Sequence, residues 1–480
     1  MARRGGSLRV GVTGGSTADT LDAHTPVDNP DIARVIQLYD TLAVFNADFA
    51  VESALAEFIE PTVDAAGWTI RLKPGLVFHN GKPVTAADVV YTFQRLLDPA
   101  THASAAPQLS AIDLNNIRVL DSLTLQLNLK RPDVTLPQTL ALYHTGIVPV
   151  GYDPRHPVGT GPFKYSSFTP GKQSAFVRND RYWRPGEPYV NQVTIIDYPD
   201  DAARVNALLA GQVDAIDELP LGQVDAVAHR ADLRVLESQT GDWLTFTMRV
   251  DVPPFDDERV RQAFRLVVDR EQMVREVLGG HGVIANDLYA RYDPAYLSTA
   301  PQRHQDIAQA KALLKQAGHE NLTVELVTAP VATGLMESAR LFAQQAATAG
   351  ITVHVRQVTP GVFFGDNYLK WPFAQDDWFT RNYILQAYDG TLPESPFNET
   401  HWNDPTFTRL VAQARATVDQ SARTNLLHQA QQIEYDRGGY IIWGFTNQIG
   451  AYTAKVNGFI PSRSGLPLSQ FELRRAWFTA

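Results

Sequence analysis

The stretch VGTGPFKYSSFTPGKQSAFVRNDRYWRPGEPYVNQVTIIDYPDDAARVNALLAGQVDAIDELP, from Val158 to Pro220, runs through a turn, a strand, an aromatic anchor, a second β-rich segment and a short helix. Asp200 and Asp201 stand where a helix N-cap belongs, Val205, Leu208 and Leu209 repeat on one face, and Gly211 marks the stop. Gly159-Thr160-Gly161 is followed by Pro162, which lacks the N–H that a phosphate-cradling loop would use. The stretch holds no catalytic constellation, so it reads as scaffold.

Outward from it, the chain is 480 residues long, more than one ordinary core accommodates, and two or three lobes are expected. A net charge of −10 without a Lys/Arg stripe argues against a nucleic-acid partner, and the excess acid reads as surface solvation. The absence of cysteine excludes disulfides, thiolate nucleophiles and thiolate metal ligands. No apolar run approaches the roughly 18 residues of a membrane span. The start, MARRGGSLRVGV, is basic but has no apolar h-region before a strand begins at Leu8, so an intact export signal is absent from the chain as given.

Trp68, Ile70 and Leu72 alternate with Thr69 and Arg71, the period of a half-buried strand. Thr85, with Asp88 three residues on, has the form of a capping box before the apolar face of Val89, Val90, Phe93, Leu96 and Leu97. After Pro253-Pro254, Asp256–Glu258 puts acid at the positive end of a long helix carrying Val260, Phe264, Val267 and Val268, with a continuation through Met273 and Val277 to Gly279-Gly280. The strand 322–327, helix 336–349 and strand 351–355 form a βαβ unit and so predict parallel strands. Two helices, Pro405–Val418 and Ser421–Asp436, precede the β-prone Tyr440–Thr446.

Five ordered blocks give the chain a family likeness: WTIRLKPGLVFHNGKPVTAADVVYTFQRLLDP (Trp68–Pro99), VGTGPF (Val158–Phe163) with RNDRYW (Arg178–Trp183), PPFDDERVRQAFRLVVDREQMVREVLGGHG (Pro253–Gly282), ALLKQAG (Ala312–Gly318) and ARATVDQSARTNLLHQAQQIEYD (Ala414–Asp436). Together they resemble the family 5 extracytoplasmic solute-binding proteins of ABC importers for peptides, opines and nickel. Asn80 stands where that family usually has Asp, a change that preserves the turn chemistry.

The resemblance implies an α/β fold of the type II-like periplasmic-binding-protein class. Its first lobe would cover residues 1–248, with an extra subdomain at about 45–158. The second would cover 249–447, and 448–480 would return to the first. It implies a ligand enclosed in the inter-lobe cleft by hinge closure and no enzymatic step. The partners implied are a small-molecule or short-peptide ligand and the transmembrane subunits of an ABC permease, with no nucleic acid, for a monomer that is periplasmic or anchored outside the membrane.

In such proteins the ligand loops match Gly14–Asp22, Asp242–Thr247, Val362–Asp366, Asp376–Tyr383 and Ser395–Trp402. The ligand-binding candidates are Ser16, Trp243, Phe364, Trp378, Arg381, Asn382, Tyr383, Asn398 and Trp402. Aromatic rings supply walls, and Ser16, Asn382 and Asn398 supply orienting hydrogen bonds. Arg381 falls where peptide-binding relatives carry an Asp for the peptide ammonium. A guanidinium there would hold an anionic group, as on an opine or sugar phosphate, unless it is spent on Asp376 or Asp377. In a di- or oligopeptide binder Arg381 would instead meet the peptide carboxylate, and an acid such as Asp376 or Asp377 its amine. Asn398 has a bland alternative as a cap for the helix after Pro405.

No G-x-S-x-G, H-E-x-x-H, Walker A or G-x-G-x-x-G pattern occurs, and the histidines show no ligand spacing, so no catalytic residue, metal site or cofactor is expected. A hydrolase or transferase on this scaffold would need a nucleophile–base pair, and the sequence offers none.

Overall fold

The computed structural model describes residues 3–479. They form two compact units, one running up to Ser238 and resuming at Gln448, the other Gln239–Asn447. The chain passes from one to the other inside two long strands, Leu233–Met248 and Tyr440–Thr453. The sequence-based limit at 248 falls at the end of the first of these strands, whereas the division falls inside it.

In the first unit Ser7–Thr13 lies parallel to Gln192–Tyr198, in register from Ser7–Gln192 to Thr13–Tyr198, and parallel to Ala215–Ile216 on its other side. Gln173–Arg178 and Phe163–Thr169 extend the sheet antiparallel. Leu8, Val10 and Val12 face a core with Val35, Leu38, Phe163 and Phe176. The helix Asn29–Leu38 starts at Asp28, whose side chain accepts from the backbone of Asp31, and has Pro30 in its first turn. A separate four-stranded sheet (Ala56–Pro61, Gly67–Leu72, Thr124–Asn128, Arg118–Val119) packs Trp68, Ile70 and Leu72 against Val89, Phe93 and Leu96 of helix Ala86–Leu97. The capping box between Thr85 and Asp88 is formed.

Asp40, just past helix Asn29–Leu38, explains the opening stretch. It accepts from Thr160 Oγ1 at 3.0 Å, Tyr182 Oη at 2.9 Å and Trp183 Nε1 at 3.0 Å. VGTGPF and RNDRYW therefore converge on one carboxyl. A Cβ on Gly159 would lie 2.0 Å from the carbonyl oxygen of Leu38, and one on Gly161 2.4 Å from that of Gln37. Both glycines are required by close approach of the loop to the helix end.

In the second unit the sheet runs Thr352–Gln357, Thr323–Thr328, Phe373–Trp378, residues 239–248 and residues 440–447. Thr323–Thr328 and Thr352–Gln357 are parallel and joined through helix Leu335–Ala347, the expected βαβ unit. Phe246, Phe255, Phe264, Phe342 and Phe373 fill the core on one face. The long helix expected after Pro254 is in fact two, Glu258–Leu266 and Arg270–Val277. Asp269 starts the second by accepting from the backbone of Gln272 at 2.9 Å. An unbroken apolar stripe hid this internal cap. Among the described residues no helix is long and apolar enough to cross a membrane.

Candidate functional site

The strand Phe373–Trp378 pairs antiparallel with residues 243–248, so that Trp243 stands opposite Trp378. Directly opposed positions on one face bring their side chains together. The two indoles stack at 5.9 Å and 11°, Tyr289 stacks on the other side of Trp243 at 5.6 Å, and Tyr440 meets Trp243 edge-on at 5.4 Å. Tyr383 continues the stack from Tyr289 at 4.9 Å. Trp243 and Tyr383 are fully buried, and Trp378 retains 7% exposure.

Beyond the strand, Arg381 lies over the Trp378 ring at 5.8 Å and forms an ion pair with Asp389. Asp389 lies eight residues further along the chain, unlike Asp376 and Asp377, the two acids close to Arg381 in sequence on its other side. A short helix, Tyr383–Gln386, runs into a π turn, Ala387–Thr391, and this extra residue per turn places Asp389. Phe397 stands edge-on to Trp378 at 6.2 Å and is 44% exposed. One indole is therefore flanked by a ring and by a fixed charge of each sign.

The acids behind this face are held towards their neutral forms. Glu399 accepts from Trp378 Nε1 at 3.4 Å; burial, and then the neighbouring Asp376, push its carboxyl well up. Glu434 accepts from Tyr383 Oη at 2.6 Å, and burial raises it to about 8. Burial likewise raises Asp376, which accepts from Tyr368 Oη at 3.3 Å. Asp377 is raised to about 7 by burial and then by Asp376 and Asp242, but strand alternation turns it to the opposite face from Trp378.

The other candidates make their recorded contacts with other groups. Phe364 is 47% exposed and packs with Phe363 and Tyr368. Asn382 opens the short helix and gives its Nδ2 to Asp293 at 3.3 Å. Asn398 ties its own loop through the carbonyls of Leu392 at 3.3 Å and Trp402 at 3.1 Å. The helix after it is capped by Asp404 instead. Trp402 is buried against Phe407 at 4.6 Å. Ser16, in the first unit, is exposed; its N–H donates to Asp19 at 2.5 Å and its Oγ accepts from Ala18 N at 3.0 Å.

Near Ser16, Asp19, Asp28 and Asp31 bring carboxylate oxygens within 4.8 Å of one another. Arg34 pairs with Asp19 at 2.8 Å and with Asp31 at 3.3 Å, so the protein supplies its own cation there. Sequence reading missed Asp389, Gln386, Glu399, Glu434, Tyr289 and Tyr440. Only Asp389-Gly390 carried a local signal, and it was that of a turn.

The family described as bacterial extracellular solute-binding proteins, family 5 middle, matches residues 50–388. A glutathione-binding protein of Pectobacterium atrosepticum is 23% identical over 93% of this chain and 90% of its own length. A di/tripeptide-binding protein of Pseudomonas aeruginosa is 28% identical over 79% of this chain and 78% of its own. Among solved structures, the PBP AgaA of A. tumefaciens R10 in complex with agropinic acid superposes with a TM-score of 0.80 at 25% identity, covering 99% of each chain.

Proposed function

The chain belongs to the family 5 bacterial extracellular solute-binding proteins, and from that premise we propose that its cargo is an amino-acid-derived organic solute carrying both charge signs, of the opine or short-peptide kind. Members of this family bind peptides or small molecules outside the cytoplasm and work with ABC permease subunits. They are binding proteins, not enzymes.

The observation that carries the ligand class is the Arg381–Asp389 pair beside Trp378. Arg381 alone would favour an anion. With Asp389 fixed against it, a purely anionic solute meets a carboxylate as well as a guanidinium. An amphoteric ligand can address both, with its carboxylate towards Arg381 and its ammonium towards Asp389. The indole and Phe397 offer apolar surface to the rest of the molecule. Trp243 and Tyr383 act from behind as supports for Trp378. Glutathione, di- and tripeptides and agropinic acid, the ligands named for the relatives, support this reading. The sugar-phosphate alternative is disfavoured by Asp389.

The test is a thermal-shift screen with glutathione, di- and tripeptides, agropinic acid and a hexose phosphate. Binding to the folded form raises Tm by mass action. At least one amphoteric ligand should stabilise the wild type and the hexose phosphate should not, while Asp389→Asn should gain a response to the phosphate. A wild type stabilised by the hexose phosphate alone would sink the proposal.

A further inference from the structure

Among the described residues five glutamines are buried: Gln37, Gln345, Gln375, Gln386 and Gln431. Four of them give Nε2 to protein oxygens. Gln37 donates to Ala33 and Phe471, Gln345 to Asp269 and Gln272, Gln375 to Ser338, and Gln431 to Ala295 and Leu427. Gln386 is 1% exposed, yet neither its Nε2 nor its Oε1 has a hydrogen-bond partner among the described residues. A buried amide left without partners is costly, and a core position would shed that cost by becoming Leu or Met.

The place of this amide is informative. It sits where the short helix Tyr383–Gln386 meets the π turn that carries Asp389. A Cβ built on Gly390 would stand 3.1 Å from Gln386 Nε2 and 2.9 Å from both Cη2 and Cζ2 of Trp378. The amide therefore lies beside the six-membered ring of Trp378, across a residue with no side chain to fill the gap. The Gly390 carbonyl is held by Tyr440 Oη at 2.9 Å, which fixes the turn. The nearby Glu399 and Glu434 carboxyls are kept towards neutral by burial. A donor and an acceptor on one amide match a neutral group that offers both, rather than an ion, for which Arg381 and Asp389 are the better partners.

We propose that Gln386 is a specificity-determining residue that pairs, beside Trp378, with an amide group of the bound solute. The assignment rests on the amino-acid-derived ligand class proposed above and names the part of that ligand which is read. Sites built to hydrogen-bond a particular group discriminate strongly against analogues that lack it, because the protein's own polar atoms are then left unpaired.

The experiment compares the wild type with Gln386→Met by isothermal titration. The probes are dialanine, glutathione and the ester analogue of dialanine, in which oxygen replaces the peptide N–H. For the wild type, dialanine should bind about 10-fold or more tightly than its ester. In Gln386→Met the affinity for the peptides should fall roughly 10- to 100-fold, and the amide–ester preference should disappear. The ligand-free variant should keep or raise its Tm, since Met fills a similar volume and the change removes an unpaired amide and no hydrogen bond. A lowered Tm in the ligand-free variant, or an amide–ester preference that survives in it, overturns the assignment of Gln386 and leaves the ligand class standing. A wild type that binds none of the three probes overturns the short-peptide side of that class, and the assignment with it.

Discussion

Around Asp40, Thr160, Tyr182 and Trp183 each donate one hydrogen bond to a carboxyl set between helix end and loop. Around Trp378 the polar groups are arranged differently. Gln386 has no hydrogen-bond partner among the described residues for either amide atom, Glu399 and Glu434 are held towards neutral, and Arg381 and Asp389 pair only partly out of water, at 31% and 15% side-chain exposure. Both regions place carboxyl groups in poor solvent, where each needs donors or a proton. The first is closed, with its donors supplied by the motifs that identify the family. The second keeps hydrogen-bonding capacity in reserve. Such reserve capacity is what a ligand, rather than the chain, would complete.

The largest effect should come from tightening the closed region. Gly159→Ala puts a Cβ 2.0 Å from a backbone oxygen that cannot swing away. It should cost about 3 kcal/mol or more of folding stability by chemical denaturation. Ligand affinity of the molecules that remain folded should be unchanged. A wild-type denaturation midpoint would break the comparison. Asp40→Ala follows, at about 2–3 kcal/mol, because it leaves three donors, those of buried Thr160 and Tyr182 and of half-buried Trp183, without their acceptor. Asp40→Asn should recover part of that loss, since its Oδ1 still accepts.

These two positions also mark the limit of what the sequence makes legible. Alternation and turn residues disclose the strands on either side of Arg178–Trp183, and Thr85 with Asp88 discloses a helix start, because both signals are local. That VGTGPF and RNDRYW meet at Asp40 is a long-range fact with no local trace. In the second unit the aromatic loops are visible as composition, but burial sorts them. Trp243 and Trp402 go inward, and Phe397 stays 44% exposed, through strand register and packing that hydropathy does not encode. Arg381 stands out by its charge, whereas Asp389, its partner, reads as a turn residue before Gly390. A π turn supplies the geometry, and π turns have no sequence signature comparable to a cap.

The pH dependence separates the regions next. Glu434 is buried, with Tyr383, Tyr289 and Arg265 facing it, and its carboxyl is raised to about 8 from an ordinary value of 4.5. The folded state therefore binds a proton that the unfolded state has released. The stabilisation is complete below pH 4.5 and is lost as pH rises through about 8. The loss should reach up to about 1.4 kcal/mol for each pH unit in that window. His24 and His79, lowered to about 4 by burial, act with the opposite sign, removing stability as pH falls from 6.5 towards 4. Tm should thus peak on the mildly acidic side and decline towards pH 9. Glu434→Gln, which keeps an acceptor for Tyr383, should flatten the alkaline limb. An unchanged limb would move the proton elsewhere.

The smallest effect on folding should come from the pair that matters most for binding. Arg381 is about a third exposed, so its ion pair with Asp389 is partly screened by solvent, and Arg381→Ala should cost less than about 1 kcal/mol of stability. Its cost in affinity for an amphoteric ligand should be roughly 10- to 100-fold, because a charge-assisted contact made only with the ligand is lost. Asp389→Ala should match it on stability but differ on binding, weakening ligands with a free ammonium more than N-acetylated ones. Titration of a peptide and its N-acetyl form against both variants checks this directly. If Arg381→Ala costs as much stability as Asp40→Ala while leaving affinity untouched, the Trp378 region is scaffold of the same kind as Asp40. In that event the unpartnered amide of Gln386 would lose its functional reading as well, because the two share one turn.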